Sequence, residues 1–156
     1  MPRFGTLSMS RLLTCEERLQ RLFLEVIKHV DCSVLCGHRG QAEQRQAYLD
    51  GTSKVDWPDG KHNAIPSRAV DVMPYPIDWK DKAGHAYFGG FVIATALAIG
   101  IRIRWGHDWD RDHDLDDQKF IDSPHYELTE PSPVFVGRSR PSKTAEDFRK
   151  AVYLPF

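Results

Sequence analysis

The chain has no long apolar run. Its most apolar stretch, residues 91–103, is broken by Gly100 and Arg102, and nothing approaches the ~18 apolar residues of a membrane span. Residues 1–13 lack the apolar centre of a secretory leader. We therefore expect a chain made in the cytoplasm without stable membrane insertion. Cysteine is scarce. Cys15, Cys32 and Cys36 are an odd number, which argues against a disulfide framework; Cys32 and Cys36 flank a short apolar segment and read as core thiols. Net charge is almost absent: a formal −1 gives no general pull toward nucleic acid or an anionic membrane. Any charged ligand must be met by local groups. Repeats, low-complexity tracts and an interdomain linker are also missing.

What remains is ordinary globular material. At 156 residues, 41% apolar and 28% charged, the chain is long enough for one domain with a real core and short for two. We read residues 1–156 as a single domain, with a core at about 14–130 and a tail at 131–156.

Taken in order, Thr14 and Glu17 have the form of a capping box. Behind them Leu19, Leu22, Phe23, Val26, Ile27 and Val30 recur at helical spacing. Residues 33–36 predict a strand, and 41–49 a polar helix after Gly37-His38-Arg39-Gly40. Residues 52–61 form a loop with its turn at Trp57-Pro58-Asp59-Gly60. Residues 68–73 alternate as a strand, with Ala69, Asp71 and Met73 facing one way and Arg68, Val70 and Val72 the other. Residues 82–99 predict the longest helix, closed by Gly100; Gly89-Gly90 within it suits close packing against a sheet. Strands are expected at 101–105 and near 125–128, with an acidic loop between them, and a short helix at 144–152. The order implies an α+β fold, a small antiparallel sheet backed by helices.

Two segments carry the chemistry. His62 precedes Asp71 by nine positions, and Asp122 precedes His125 by three. Two histidines and a carboxylate suit zinc and leave a position for water; Asp122 is placed to accept a proton from it. An aspartate inside an apolar strand is costly unless paired or metal-bound, which singles out Asp71. The alternatives are a surface loop histidine at 62, an ion-pair aspartate at 71 and a core histidine at 125. His125 and Glu127, two apart on a strand, share a face, and Glu127 competes with Asp122 as the base.

The wording Lys61-His62-Asn63 to Pro66-Ser67-Arg68-Ala69-Val70-Asp71-Val72-Met73-Pro74-Tyr75-Pro76 resembles the zinc peptidases of the D-alanyl-D-alanine carboxypeptidase and dipeptidase group. So do Arg104-Trp105-Gly106, Asp108-Trp109-Asp110 and Pro124-His125-Tyr126-Glu127-Leu128, together with Arg39, Gln44, Gly51 and Ser53. The similarity is greatest to its branch of phage endolysins, the L-alanoyl-D-glutamate endopeptidases, and runs from about residue 33 to 128. It implies a Hedgehog/DD-peptidase-like fold. It also implies zinc held by His62, Asp71 and His125, with Asp122 as general base and Arg39 polarising the scissile carbonyl. Glu127, Arg68 and Gln44 would bind substrate or support the ligands. The implied partner is the peptidoglycan stem peptide, cut by a monomer that reaches the wall after release from the host cytoplasm. His62 to Asp71 is longer by two residues than the group's usual spacing, as in the endolysin branch. His38 and His107 depart from the pattern in ways that bear on substrate fit.

Other readings stay open. A D-Ala-D-Ala carboxypeptidase needs a further cation for the terminal carboxylate, for which Arg68 is the nearby candidate. A non-catalytic zinc-containing wall-binding module would have no need of Asp122. Asp108, Asp110, Asp112 and Asp114 alternate like the start of a calcium loop, although His113 stands where such loops have glycine; a solvated acidic loop is the alternative.

Overall fold

The computed structural model describes residues 1–129; the helix expected at 144–152 lies outside them. Two helices, α1 (Thr6–Leu12) and α2 (Glu17–Val26), precede strand β1 (Cys32–Cys36). Helix α3 (Gln41–Leu49) and a 3-10 turn (Lys61–Asn63) lead to β2 (Ala69–Pro74). The long helix α4 (Lys82–Ala98) is followed by β3 (Ile103–Trp105) and β4 (His125–Leu128). The sheet is antiparallel in the order β1-β2-β4-β3. The α+β expectation is met. No helix among the described residues is long and apolar enough to cross a membrane.

One face of the sheet is the core. Val34, Val70, Val72, Tyr126 and Leu128 pack there against Leu19, Leu22, Phe23 and Val26 of α2 and Phe88 and Val92 of α4. The period-two reading of β2 holds, since Val70 and Val72 join this core while Asp71 turns the other way. Gly89 of α4 is the contact that seats the helix: a Cβ built on it would lie 2.4 Å from the Trp105 ring. At Gly90 nothing is within 4 Å. Gly100 takes φ +74° after the helix, the left-handed turn that favours glycine there.

Two local expectations change. Helix α1 carried no clear signal in the sequence. The capping box at Thr14 does not form: α2 begins after Glu16, with no side-chain cap. Thr14 Oγ1 instead accepts from the His38 amide at 2.7 Å and donates to the Arg11 carbonyl at 2.6 Å. Cys15 pairs as a bridge with Ser67. This segment has tertiary partners for the hydroxyl, and these prevail over the local cap.

Candidate metal centre and cleft

Strand register builds the site. Asp71 in β2 pairs with His125 in β4 on one side and with Cys36 in β1 on the other. Directly paired antiparallel residues point to the same face, so all three side chains leave the sheet together. Cys36 reaches this row only because β1 is irregular between Val34 and Cys36; the extra residue, Leu35, is skipped, as in a β-bulge. The next row on the same face joins Ala69, Glu127 and Arg104.

His62 comes from the 3-10 turn. Its Nε2 lies 3.1 Å from Asp71 Oδ1 and 3.2 Å from His125 Nδ1, and His125 Nδ1 is 3.2 Å from the same Asp71 oxygen. The outer nitrogens are occupied elsewhere. His62 Nδ1 donates to the Gly37 carbonyl at 2.7 Å, and His125 Nε2 donates to Glu127 Oε2 at 3.0 Å. These bonds select the tautomers in which the inner nitrogens carry lone pairs, the arrangement that orients metal-binding histidines. Glu127 is itself held by Arg104 Nη2 at 2.6 Å.

The charges agree. Burial pulls the His62 imidazole down, but the Asp71 carboxylate outweighs it and pushes the group up to about 10. Burial raises Asp71, yet the two histidines hold it far below the usual carboxylate range. His125 is raised despite burial, by hydrogen bonds to Asp71 and Glu127. The carboxylates thus make this pocket favour positive charge, supplied by protons or by a cation. The donor set fits zinc.

Cys36 corrects the sequence reading. Its Sγ belongs with His62 and Asp71 to a group whose ligand atoms lie within 4.8 Å of one another, so it is a candidate donor rather than a plain core thiol. Cys32 is a core thiol, 4% exposed.

The site opens into a cleft of about 400 Å³. Arg39, Asp122, His62 and His125 line it, as do Gln44 and Glu127. Asp122 is brought in by the backbone: its amide donates to Gly106 O at 2.7 Å, and a Cβ on Gly106 would meet the Asp122 carbonyl at 2.4 Å. Burial first, then the charge of Asp71, raise its carboxyl above the usual range. Arg39 reaches Asp71 Oδ2 and Gln44 Oε1, each at 3.3 Å. Gln44 is 1% exposed; it accepts from Asn63 at 3.2 Å and donates to Ser53 Oγ at 2.9 Å.

Arg68 stands outside this cleft and approaches Glu16 at 3.9 Å. Neither His38 nor His107 lines it; His107 packs on Trp105 with centroids 5.0 Å apart. Arg104, Lys54, Trp109 and Phe120 do line it; in the sequence Arg104 and Trp109 stood only within the family-like wording, with no role, and Lys54 and Phe120 were not singled out. Alternation in β3 put Arg104 on a face, but only the register with β4 says which partner it meets. In the acidic loop, the ligand atoms of Asp108, Asp110 and Asp112 come together, whereas Asp114 falls outside that group.

Comparisons with known proteins agree with this geometry. The L-alanyl-D-glutamate peptidase of Escherichia phage T5 is 31% identical over 134 residues, covering 81% of this chain and 97% of the relative. The crystal structure of Serratia marcescens L-Ala D-Glu endopeptidase ChiX matches with a TM-score of 0.64 and 27% identity, covering 81% of this chain and 90% of that one. The family model described as phage L-alanyl-D-glutamate peptidase matches residues 1–129, and the chain belongs to that family.

Proposed function

We propose that this protein is a zinc peptidase of peptidoglycan that hydrolyses the bond between L-alanine and D-glutamate in the stem peptide. The observation that supports it most is the convergence of His62 Nε2, Asp71 Oδ1 and His125 Nδ1 within 3.2 Å, in a cleft that also holds Asp122. In this reading His62, Asp71 and His125 hold the metal, and Cys36 stands beside it. Zinc, when bound, supplies a Lewis acid that polarises a carbonyl and acidifies water.

The chain's own groups do the rest. Asp122, with its raised affinity for a proton, accepts one from the attacking water and returns it to the leaving amine. Arg39 spends part of its guanidinium on Asp71 and Gln44; of its five N–H donors, the others are left for charge developing on the carbonyl oxygen. Glu127 and Arg104 hold His125 in orientation, and Gln44 ties Arg39 to the loop carrying Ser53. Arg68, the cation named for the carboxypeptidase reading, stands outside the cleft.

Mass spectrometry of digested peptidoglycan tests this. Stem peptides with a new amino-terminal D-glutamate are expected, and Asp122→Ala should abolish their release while zinc stays bound. Release of free D-alanine with the L-Ala–D-Glu bond intact would reject the proposal.

A second cation is supported by one observation. Asp108 is 2% exposed, and its Oδ1 is buried without a hydrogen-bond partner; the residue belongs with Asp110 and Asp112 to a group whose ligand atoms lie within 4.8 Å of one another. His113 has φ +73°, so the loop makes the left-handed turn that calcium loops assign to glycine. We assign calcium to Asp108, Asp110 and Asp112. A calcium-dependent rise in melting temperature that Asp108→Asn removes is the expected result; its absence would leave only a solvated acidic loop.

A further inference from the structure

Glutamate has two carboxyl groups, and a peptide continues through only one of them. A glutamate following the scissile bond therefore brings a free carboxylate on the leaving side, close to the reacting amide. Such a carboxylate enters a half-closed cleft at a desolvation cost unless a cation meets it.

Four cations line the cleft: Arg39, Lys54, Lys61 and Arg104. Two are already engaged. Arg39 lies 3.3 Å from Asp71 Oδ2, and Arg104 lies 2.6 Å from Glu127 Oε1. Neither Lys54 nor Lys61 has a carboxylate partner among the described residues. Lys61 belongs to the 3-10 turn beside His62. Lys54 lies against Phe120: its ammonium stands 5.1 Å from the centroid of that ring, and Phe120 is two residues before Asp122 in the chain. An aromatic face holds a cation in place without neutralising it.

From this we infer that Lys54 is a specificity-determining residue, its ammonium pairing with the free carboxylate of the glutamate whose amine leaves. The inference rests on the function proposed above, in which Asp122 returns a proton to that amine. The glutamate then lies along the wall that carries Asp122 and Phe120, which is where the Lys54 ammonium is held. Ser53 and Val55, on either side of Lys54, are fixed by Gln44, so the residue that positions Arg39 also anchors the loop bearing the lysine.

The test uses two synthetic stem peptides identical except that the free carboxyl of D-glutamate is a carboxylate in one and a carboxamide in the other. The parent protein is expected to favour the acid by about tenfold in kcat/KM, as for one charge-assisted hydrogen bond in a part-solvated site. Lys54→Met should bring that preference close to one, mainly through KM on the acid peptide, and Lys54→Arg should keep it. The preference is a ratio within each variant, so a change in the amount of folded protein cancels. A parent without preference, or a preference that survives Lys54→Met, overturns the inference. Asp122→Asn should slow both peptides alike. A parent that cuts neither peptide removes the proposed function, and this inference with it.

Discussion

His125 donates from Nε2 to Glu127 Oε2 at 3.0 Å, two residues further along the same strand. The other Glu127 oxygen accepts from Arg104 Nη2 at 2.6 Å and Nε at 3.1 Å. Period two along β4 and the pairing of Arg104 with Glu127 across β3 and β4 produce this chain of contacts. Its effect on the site is to fix which imidazole nitrogen faces Asp71.

Glu127 should therefore tune metal affinity without touching the metal. Loss of such a supporting carboxylate costs about 10–100-fold in affinity. Glu127→Gln, which keeps an accepting oxygen, should fall near the lower end and Glu127→Ala near the upper. Competition with a chelator measures both. Equal affinity in parent and Glu127→Ala would mean that packing alone orients His125.

The neighbours of Asp71 on either side make a second prediction. His125 and Cys36 are its paired residues in β4 and β1, and both are candidates for the third donor. The bonded outer nitrogen of His125 favours the histidine. Metal analysis should find one zinc per chain in Cys36→Ser and little in His125→Ala. Cobalt substitution of the parent should give no sulfur-to-metal charge-transfer band. The opposite pattern would place the thiolate in the ligand set.

Much of this was legible in the sequence, for a physical reason. Val70 and Val72 against Asp71, and His125 with Glu127, are period-two patterns that state which residues share a face. They put Asp71 on the face away from Val70 and Val72, and His125 on one face with Glu127, before any pairing was known. Cys36 was not legible, because its place opposite Asp71 depends on the skipped Leu35, and nothing in the residue types announces a bulge. Thr14 misled for a related reason: its hydroxyl has two good local choices, and the His38 amide, 24 positions away, decides between them. Lys54 and Phe120 meet only because two loops fold over one cleft.

The three thiols should differ sharply in reactivity. Burial pushes Cys15 and Cys32 each up to about 12, and alkylation requires the thiolate. At pH 8 roughly one such thiol in ten thousand is ionised, a share that rises with pH until the group titrates. Cys36 is the half-buried member of the three. Iodoacetamide on the native, metal-free protein at pH 8 is expected to modify Cys36 alone, and all three in urea. Rapid native modification of Cys32 would show that the helix-covered face of the sheet opens readily.

Gly89 and Gly90 are adjacent in α4, and alanine at the two should have opposite effects. In a helix interior, glycine to alanine gains about 1 kcal/mol where space permits. At Gly90 nothing lies within 4 Å of the added carbon, so Gly90→Ala should stabilise by up to about that amount. At Gly89 the added carbon meets Trp105 Cη2 and Cζ2 at 2.4 Å. The indole cannot swing aside cheaply: it is 2% exposed, stacks on Tyr126 and donates from Nε1 to the Ser123 carbonyl at 2.7 Å. Overpacking of this kind costs about 1–3 kcal/mol, more than the propensity gain, so Gly89→Ala should destabilise. Urea unfolding of the two variants checks the signs. Because Ser123 lies between Asp122 and His125, Gly89→Ala should also lower activity in the protein that remains folded, whereas Gly90→Ala should not. If both variants were stabilised, α4 would have to sit further from β3 than the contact with Trp105 allows.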